Sequence, residues 1–229
     1  MIPILILYLV RRIKRVSFFS RKLEDFKRLI WKLKLLLPLF VFNISFANNT
    51  DPNTHLIYNV VRNNHVIGTI SVSRMFNEDS TAYHLESHIN VKALFKFNIT
   101  GKETTVYKDG ILTYSSIYRK VNNKIKANHK VVFKGEKYHS QDHNNQEQIY
   151  FKEIHRNLVT LYFSEPVGVN QIYCDKEKRM VRIEPMGESA YKVSFSDGKY
   201  NVYHYRDGKC VKIEAISALF EVDLIPAES

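Results

Sequence analysis

The sequence predicts an all-β protein, either a strongly curved antiparallel meander or an open β-barrel of about ten to twelve strands. Turn-forming residues recur at nearly regular intervals after residue 48, and they separate runs rich in Val, Ile, Tyr and Phe. No helical pattern of about ten to fifteen residues alternates with these runs, which argues against a parallel α/β sheet. We expect a short helix or loop to cross one end of the sheet, and a helical leader to precede it.

Residues 1–47 form a basic and apolar leader. They hold ten of the 34 Lys and Arg residues but only two of the 23 acids. Two lysines, an apolar stretch and a Ser-x-Ala site follow one another in the order of a secretory signal peptide: Lys32, Lys34, Leu35–Phe42 and Ser45–Ala47. We predict cleavage after Ala47 and a mature protein in the periplasm or outside the cell.

The leader has two further interpretations. Residues 1–29 are read as an upstream start that the cell does not use, because a basic stretch in front of a complete signal peptide is unusual. A competing reading is a membrane-surface helix over Val16–Leu37. No apolar run reaches the ~20 residues that span a bilayer, so membrane contact is expected only through the leader. Residues 48–55 are then a linker, and residues 56–225 are the β domain.

Charge excludes one class of partner. The net charge is +11, but outside the leader basic and acidic residues nearly balance and are scattered among apolar strand residues. A duplex-binding domain concentrates Lys and Arg on one face, so no nucleic-acid partner is predicted. The two cysteines, Cys174 and Cys210, are interpreted as half-buried thiols in preference to a disulfide, because a domain of this size does not need one.

The stretch Leu56–Val72 predicts the first β-hairpin, with apolar residues alternating on both sides of Asn63-Asn64-His65. A two-residue turn would mix the two faces. A three-residue loop places Val60 opposite Gly68 and Tyr58 opposite Ile70, which puts all four on one side. We therefore predict the three-residue loop.

Later strands show the same division into an apolar and a polar face, as expected for an antiparallel sheet around a core. Near the C-terminus, a two-residue turn at Asp207-Gly208 would set Val202 opposite Ile213. The middle of the chain differs, because residues 138–156 are mostly polar. We predict a loop and a short helix there, ending before Pro166.

Several motifs together carry a resemblance to a known family. They are Tyr58-x-Val60 with Gly68, Tyr83 and Ser87; Tyr107–Leu112; Asn122-Asn123-Lys124; Leu161–Pro166; Asp197-Gly198; Tyr203-His204-Tyr205; and Asp207-Gly208. In this order and spacing the chain, over about residues 56–225, resembles an uncharacterised family of secreted bacterial proteins, domain-of-unknown-function family 6134. The resemblance implies export. It implies no activity and no catalytic residue.

Two groups of residues are candidate metal sites. On a strand, His84, Glu86 and His88 share a face, but the two histidines are then about 13 Å apart at about 3.3 Å per residue, too far for one ion. His139, Asp142 and His143 lie in a polar stretch without a third and fourth ligand. We predict no metal and no cofactor.

The inward faces predict an apolar lining, formed by Tyr58, Tyr83, Leu85, Phe95, Phe97, Ile99 and Phe133. The segment with Tyr162, Phe163, Glu165 and Pro166 is expected to cover the mouth of this space. A barrel of more than about eight strands leaves room inside. An apolar small molecule or lipid is therefore the predicted ligand.

Two other functions stay open. One is an envelope structural or interaction protein without a small ligand. The other is an enzyme that uses the polar 138–166 segment, for which clustering of His139, His143, His155 and Glu165 around a cleft would be the sign. No nucleophile with a base and an orienting group is recognisable, so the enzyme is the less favoured reading.

Overall fold

The computed structural model describes residues 53–92, 96–142, 145–149, 152–217 and 221–227. The predicted leader, Phe95 and His143 lie outside these residues. The described part forms one antiparallel sheet of 14 strands. Its strands, in chain order, are β1 (Thr54–Arg62), β2 (His65–Asn77), β3 (Ser80–Lys92), β4 (Lys96–Lys108), β5 (Ile111–Val121), β6 (Lys124–Lys134), β7 (Lys137–Asp142), β8 (Gln146–Ile149), β9 (Gln171–Cys174), β10 (Arg179–Pro185), β11 (Ala190–Ser194), β12 (Tyr200–Arg206), β13 (Lys209–Ile216) and β14 (Glu221–Pro226).

The sheet is a meander with one rearrangement. Its order is β8-β7-β6-β5-β4-β3-β2-β1-β14-β13-β12-β11-β10-β9, so the last strand pairs with the first and the two halves of the chain meet there. The all-β antiparallel architecture is confirmed. The predicted ten to twelve strands are too few, because the polar stretch that predicted a loop contains β7 and β8. These strands lie at one end of the sheet, where only part of their surface needs to be apolar.

Four hairpins combine a two-residue turn with a β-bulge close to it. Two-residue turns at Asn63-Asn64, Asp109-Gly110, Asn122-Asn123 and Asp207-Gly208 have positive φ at both residues, as type I′ turns require. In each hairpin the register then shifts by one residue within the first few pairs of the turn. The shift is a β-bulge, in which one strand carries an extra residue opposite its partner and therefore bends.

The bulge decides both register predictions. Val60 pairs with Gly68 and Tyr58 with Ile70, as predicted, but a two-residue turn plus a bulge replaces the predicted three-residue loop. In the C-terminal hairpin the bulge moves Ile213 opposite Tyr203, so the predicted partner Val202 is wrong.

The short helix in the middle of the chain is a 3₁₀ helix, Leu158–Tyr162, that packs against β3, β9 and β13. Four of its five residues are buried. It therefore lies on the concave side of the sheet. None of the helices within the described residues is both long enough and apolar enough to cross a membrane.

The two ends of the sheet approach each other without continuing the strand ladder. Residues 154–157 bridge them: the Leu112 amide of β5 donates to the Ile154 carbonyl at 2.8 Å, and the Tyr173 amide of β9 donates to the Arg156 carbonyl at 3.1 Å. On β6, His129 Nε2 donates to the Asp175 carbonyl at 2.7 Å. The sheet is thus curled into an incomplete barrel.

A set of polar side chains, here called the seam cluster, holds this junction: the buried Thr105, Tyr107, Asn157 and Asp175, and the partly buried His129. Asn157 is fully buried, and its Nδ2 donates to Thr105 Oγ1 at 3.0 Å and to Asp175 Oδ2 at 2.8 Å. Its Oδ1 accepts from the Tyr107 hydroxyl at 3.0 Å. One side chain therefore ties three parts of the chain together.

Candidate functional site

A cavity of about 300 Å³ lies inside the curled sheet. Its walls come from strands far apart in the chain, β1–β5, β9 and β12–β14, together with the 3₁₀ helix. Most of the lining is aliphatic, with Val60, Ile70, Leu85, Ile89, Ile117, Val159 and Leu224 among its members. This volume is at the lower end of the range for ligand pockets in proteins.

The bulge of the first hairpin contributes directly to the wall. It leaves Val66 on the outside, 61% exposed, and Ile67 in the cavity lining. Strand β3 supplies Ser87 opposite Gly101 of β4. The Ser87 hydroxyl lies over Gly101, where a Cβ atom on that glycine would be 2.7 Å from the Ser87 Oγ.

One end of the cavity is polar. Lys176, Asp197, Lys199 and Asn201 border it, and this set is called the rim. Asp197 forms ion pairs with Lys199 and, at 3.9 Å, with Lys176. The pKa of the Asp197 carboxyl is lowered chiefly by its hydrogen bond to Lys199. The side chains of Lys176 and Lys199 are about half exposed, so this end of the cavity faces solvent.

Two charged side chains lie among the lining residues themselves. Arg119 is half-buried on β5, and its cross-strand neighbour on β4 is Gly101. Glu103 lies two residues further along β4. Burial raises the pKa of the Glu103 carboxyl to about 7, and the nearby Asp175 carboxylate acts in the same direction, while Arg119 opposes it. Glu103 therefore takes up and releases a proton near neutral pH.

Cys174 also lines the cavity. Both cysteines are free and buried. Burial raises the pKa of each thiol to about 12, so both remain protonated and unreactive at neutral pH.

The predicted lining residues divide between the cavity and the packed core. Leu85 and Ile99 line the cavity. Tyr58 is buried beside it, where its ring meets Tyr162 edge-on at 5.3 Å and its hydroxyl donates to the Cys210 carbonyl at 3.0 Å.

The other predicted rings lie elsewhere. Tyr83 packs between Tyr107 and Phe163, with ring centroids 5.9 and 5.4 Å away. Phe133 packs on Tyr138 at 4.8 Å. Phe97, at the solvent end of β4, is 40% exposed.

The segment predicted to cover the mouth lies instead at the end away from the rim. Tyr162 lines the cavity from within and Pro166 is buried. Phe163 stacks with Arg74, and Glu165 accepts a hydrogen bond from the Tyr191 hydroxyl at 2.9 Å. This segment closes the inner end of the cavity and leaves the rim open.

The residues that would favour an enzyme do not converge in the described part of the chain. His139 on β7 pairs with Val132 on β6, His155 contacts the Gly110 carbonyl at 3.0 Å, and Glu165 contacts Tyr191. On β3, His84 contacts Thr104 and Glu86 pairs with Lys102. Within the described residues, no three metal-ligating side chains are placed to hold an ion.

The alternation of β4 and β5 could have revealed the charged lining residues. Glu103 has the same parity as Ile99, and Arg119 the same parity as Ile117, so each shares an inward face with an apolar residue. Lys176, Asp197 and Lys199 follow strands in turns, where parity carries no information.

A family model described as "Domain of unknown function (DUF6134)" matches residues 58–227. Among solved structures, the chain is similar to the crystal structure of a beta-barrel-like protein of domain of unknown function DUF1849 from Brucella abortus. The identity is 10%, the match covers 77% of this chain and 96% of the other, and the TM-score is 0.47. The curated proteins yield no match.

Proposed function

The chain belongs to the DUF6134 family, and from its site we propose that it is an exported protein that binds a small apolar ligand inside its curled sheet. The observation that carries this proposal is the aliphatic cavity of about 300 Å³. Protein interiors normally pack as densely as organic crystals, so unfilled apolar space of this size costs stability unless something occupies it. A guest that buries apolar surface there gains about 25 cal/mol per Å².

The shape of the cavity supports a ligand that enters from the rim. The 3₁₀ helix and the Tyr58, Tyr162 and Tyr203 rings close the inner end, where Tyr162 meets the other two edge-on. The rim is the solvent-facing end of the cavity. A straight, flexible apolar chain suits such a one-ended pocket.

Export is supported by the order of the leader, in which Lys32 and Lys34 precede an apolar stretch and the Ser45–Ala47 site. Sequencing the N-terminus of the protein purified from its own cells tests it. We expect the first residue to be Asn48. A protein that keeps residue 1 in the cell contradicts export by this signal.

Native mass spectrometry of the protein purified from its own cells tests the ligand. We expect an additional mass that organic extraction removes. In the Ser87→Phe variant the new ring should take up part of the cavity, because Ser87 is one of its lining residues, and the bound mass should disappear. His88→Phe is the matched control, because His88 is exposed on the other face of the same strand.

The control variant should keep the ligand and both variants should keep the β-sheet circular-dichroism spectrum. If neither the unmodified protein nor His88→Phe carries or binds any apolar compound, the cavity has no such guest. An interaction role in the envelope would then replace the carrier role.

A further inference from the structure

Arg119 is the most unusual side chain of the cavity. It is half-buried among aliphatic residues, and its cross-strand partner on β4 is Gly101, which offers no side chain. Among the described residues, no hydrogen bond or ion pair involves its guanidinium group. Removing a charge from water without pairing it costs free energy, so Arg119 lowers the stability of the protein when the cavity holds no ligand.

Glu103 acts on Arg119 inside the cavity, and it does not fully neutralise the guanidinium. Burial and the neighbouring Asp175 hold the pKa of Glu103 at about 7, so its carboxyl is only partly ionised at neutral pH. The cavity therefore contains a cation without a matching anion.

The rim adds positive charge on the path to Arg119. Lys176 and Lys199 share one acid, Asp197, which leaves the rim with an excess positive charge. A cleft with one sign of charge and low-dielectric walls attracts ions of the other sign. Both the rim and the interior thus favour an anion.

Resting on the proposed function, we propose that the ligand is a single-chain amphiphile whose anionic head group, a carboxylate or a phosphate, binds Arg119. The planar guanidinium fork matches both groups with two parallel hydrogen bonds. The chain then lies inward from Arg119, between Leu85, Val159 and Leu224, towards Tyr162.

The volume of the cavity limits the length of the ligand's acyl chain. A space of about 300 Å³ holds the equivalent of about ten water molecules, at ~30 Å³ each in the liquid. A methylene group takes up about as much space as one water molecule. The volume therefore matches one acyl chain of moderate length.

Four compounds with the same twelve-carbon chain test this: dodecanoic acid, dodecyl phosphate, dodecan-1-ol and dodecylamine. Their binding to the delipidated protein is measured by isothermal titration calorimetry at about pH 6, where the Glu103 carboxyl is mostly protonated. We expect the acid or the phosphate to bind at least roughly tenfold more tightly than the alcohol, since hydrogen bonds between charged groups are the strong ones. The amine should bind most weakly.

Arg119→Met should remove this preference while leaving the affinity for the alcohol unchanged, because methionine keeps an apolar chain of similar length in the wall. Arg182→Met is the control, since Arg182 is exposed and paired with Glu184. The acid and the phosphate distinguish a fatty acid from a lipid phosphate as the source of the head group.

The outcomes separate the two proposals. Binding of the alcohol as tightly as both anions, or an anion preference that survives in Arg119→Met, overturns the head-group assignment and leaves the apolar pocket standing. Failure of all four compounds to bind overturns the proposed function, and the head-group assignment with it.

Discussion

The cavity and the seam cluster lie inside the same curled sheet, and they are built in opposite ways. The cavity wall is largely aliphatic and leaves about 300 Å³ unfilled. The seam cluster is polar and tightly joined, with Asn157 fully buried and bonded to three side chains. One region of the interior is open, and the other is closed by hydrogen bonds.

This difference shows how a sheet with two free edges keeps a cavity. Contact between apolar walls lowers the free energy, so the walls of a cavity tend to collapse onto each other. In an incomplete barrel, no continuous ladder of strand hydrogen bonds prevents that collapse. The seam cluster replaces the missing ladder, because its hydrogen bonds need particular positions of β4, β6 and residues 157–175. We infer that the polar seam sets the curvature that keeps the apolar cavity open.

The largest effect is expected when the seam is broken. Asn157→Leu keeps a similar volume but removes the partners of Thr105, Tyr107 and Asp175 in one step. Removing a hydrogen bond from three buried groups at once, one of them an acid, costs about 3–5 kcal/mol. Urea unfolding followed by far-ultraviolet circular dichroism measures the loss.

Asn128→Leu is the control for this variant, because Asn128 is exposed on β6. Its free energy of unfolding should change by less than about 0.5 kcal/mol. Equal small losses in both variants would show that the seam cluster does not hold the sheet ends together.

The next largest effect is expected at Gly68, where β2 lies close against the backbone of β3. A Cβ atom on Gly68 would lie 2.3 Å from the His88 carbonyl oxygen and 2.6 Å from the Ile89 Cα, both backbone atoms of β3. Gly68→Val should therefore cost about 2–3 kcal/mol, seen as a melting temperature roughly 5–10 °C lower. The sequence predicts a packing role for this glycine, and the structure identifies the neighbour as the β3 backbone.

Thr69→Val is the matched comparison, since the side chain of Thr69 is exposed on the other face of the same strand. It should leave the melting temperature nearly unchanged. A loss as large as that of Gly68→Val would contradict the register of β2 against β3.

The two hairpins whose register was predicted show how far the sequence leads. Alternation correctly placed Tyr58 and Val60 on the inner face, because burial selects apolar residues whatever the turn. The turn type was wrong, since Asn63-Asn64 makes a two-residue turn and a bulge restores the alternation. No residue type marks a bulge of this kind, so turn chemistry alone fixes the register only up to the first bulge.

The site was predictable to a similar extent. Leu85 and Ile99 follow from strand alternation. The seam cluster does not, because Asn157 and Asp175 are distant from Thr105 and Tyr107 in sequence and meet only when the sheet curls. Polar residues in a sequence are usually solvated, and nothing local shows that these four bond to one another.

The smallest effect concerns Glu103, which lines the cavity and feels the carboxylate of the seam cluster. Burial, followed by Asp175, raises the pKa of Glu103 to about 7 in the folded protein. Below about pH 4 the carboxyl is protonated in both the folded and the unfolded chain and has no effect on stability. Between about pH 4 and 7 the unfolded chain releases the proton first, so stability falls as the pH rises, and above 7 the loss is constant.

Glu103→Gln should therefore raise the melting temperature at pH 8 by a few degrees and leave it unchanged near pH 4, with the difference developing between those values. The control is Glu86→Gln on the outer face, where the hydrogen bond from Lys102 lowers the pKa of the carboxyl, so its removal should act in the opposite direction and weakly. Asp175 is present in both the unmodified protein and the Glu103→Gln variant, so its own effect on stability cancels to first order in the difference between them. A loss of stability from Glu103→Gln at pH 8 would mean that the ionised carboxyl stabilises the folded protein, and the cavity would then hold an ion pair with Arg119 in place of an unmatched cation.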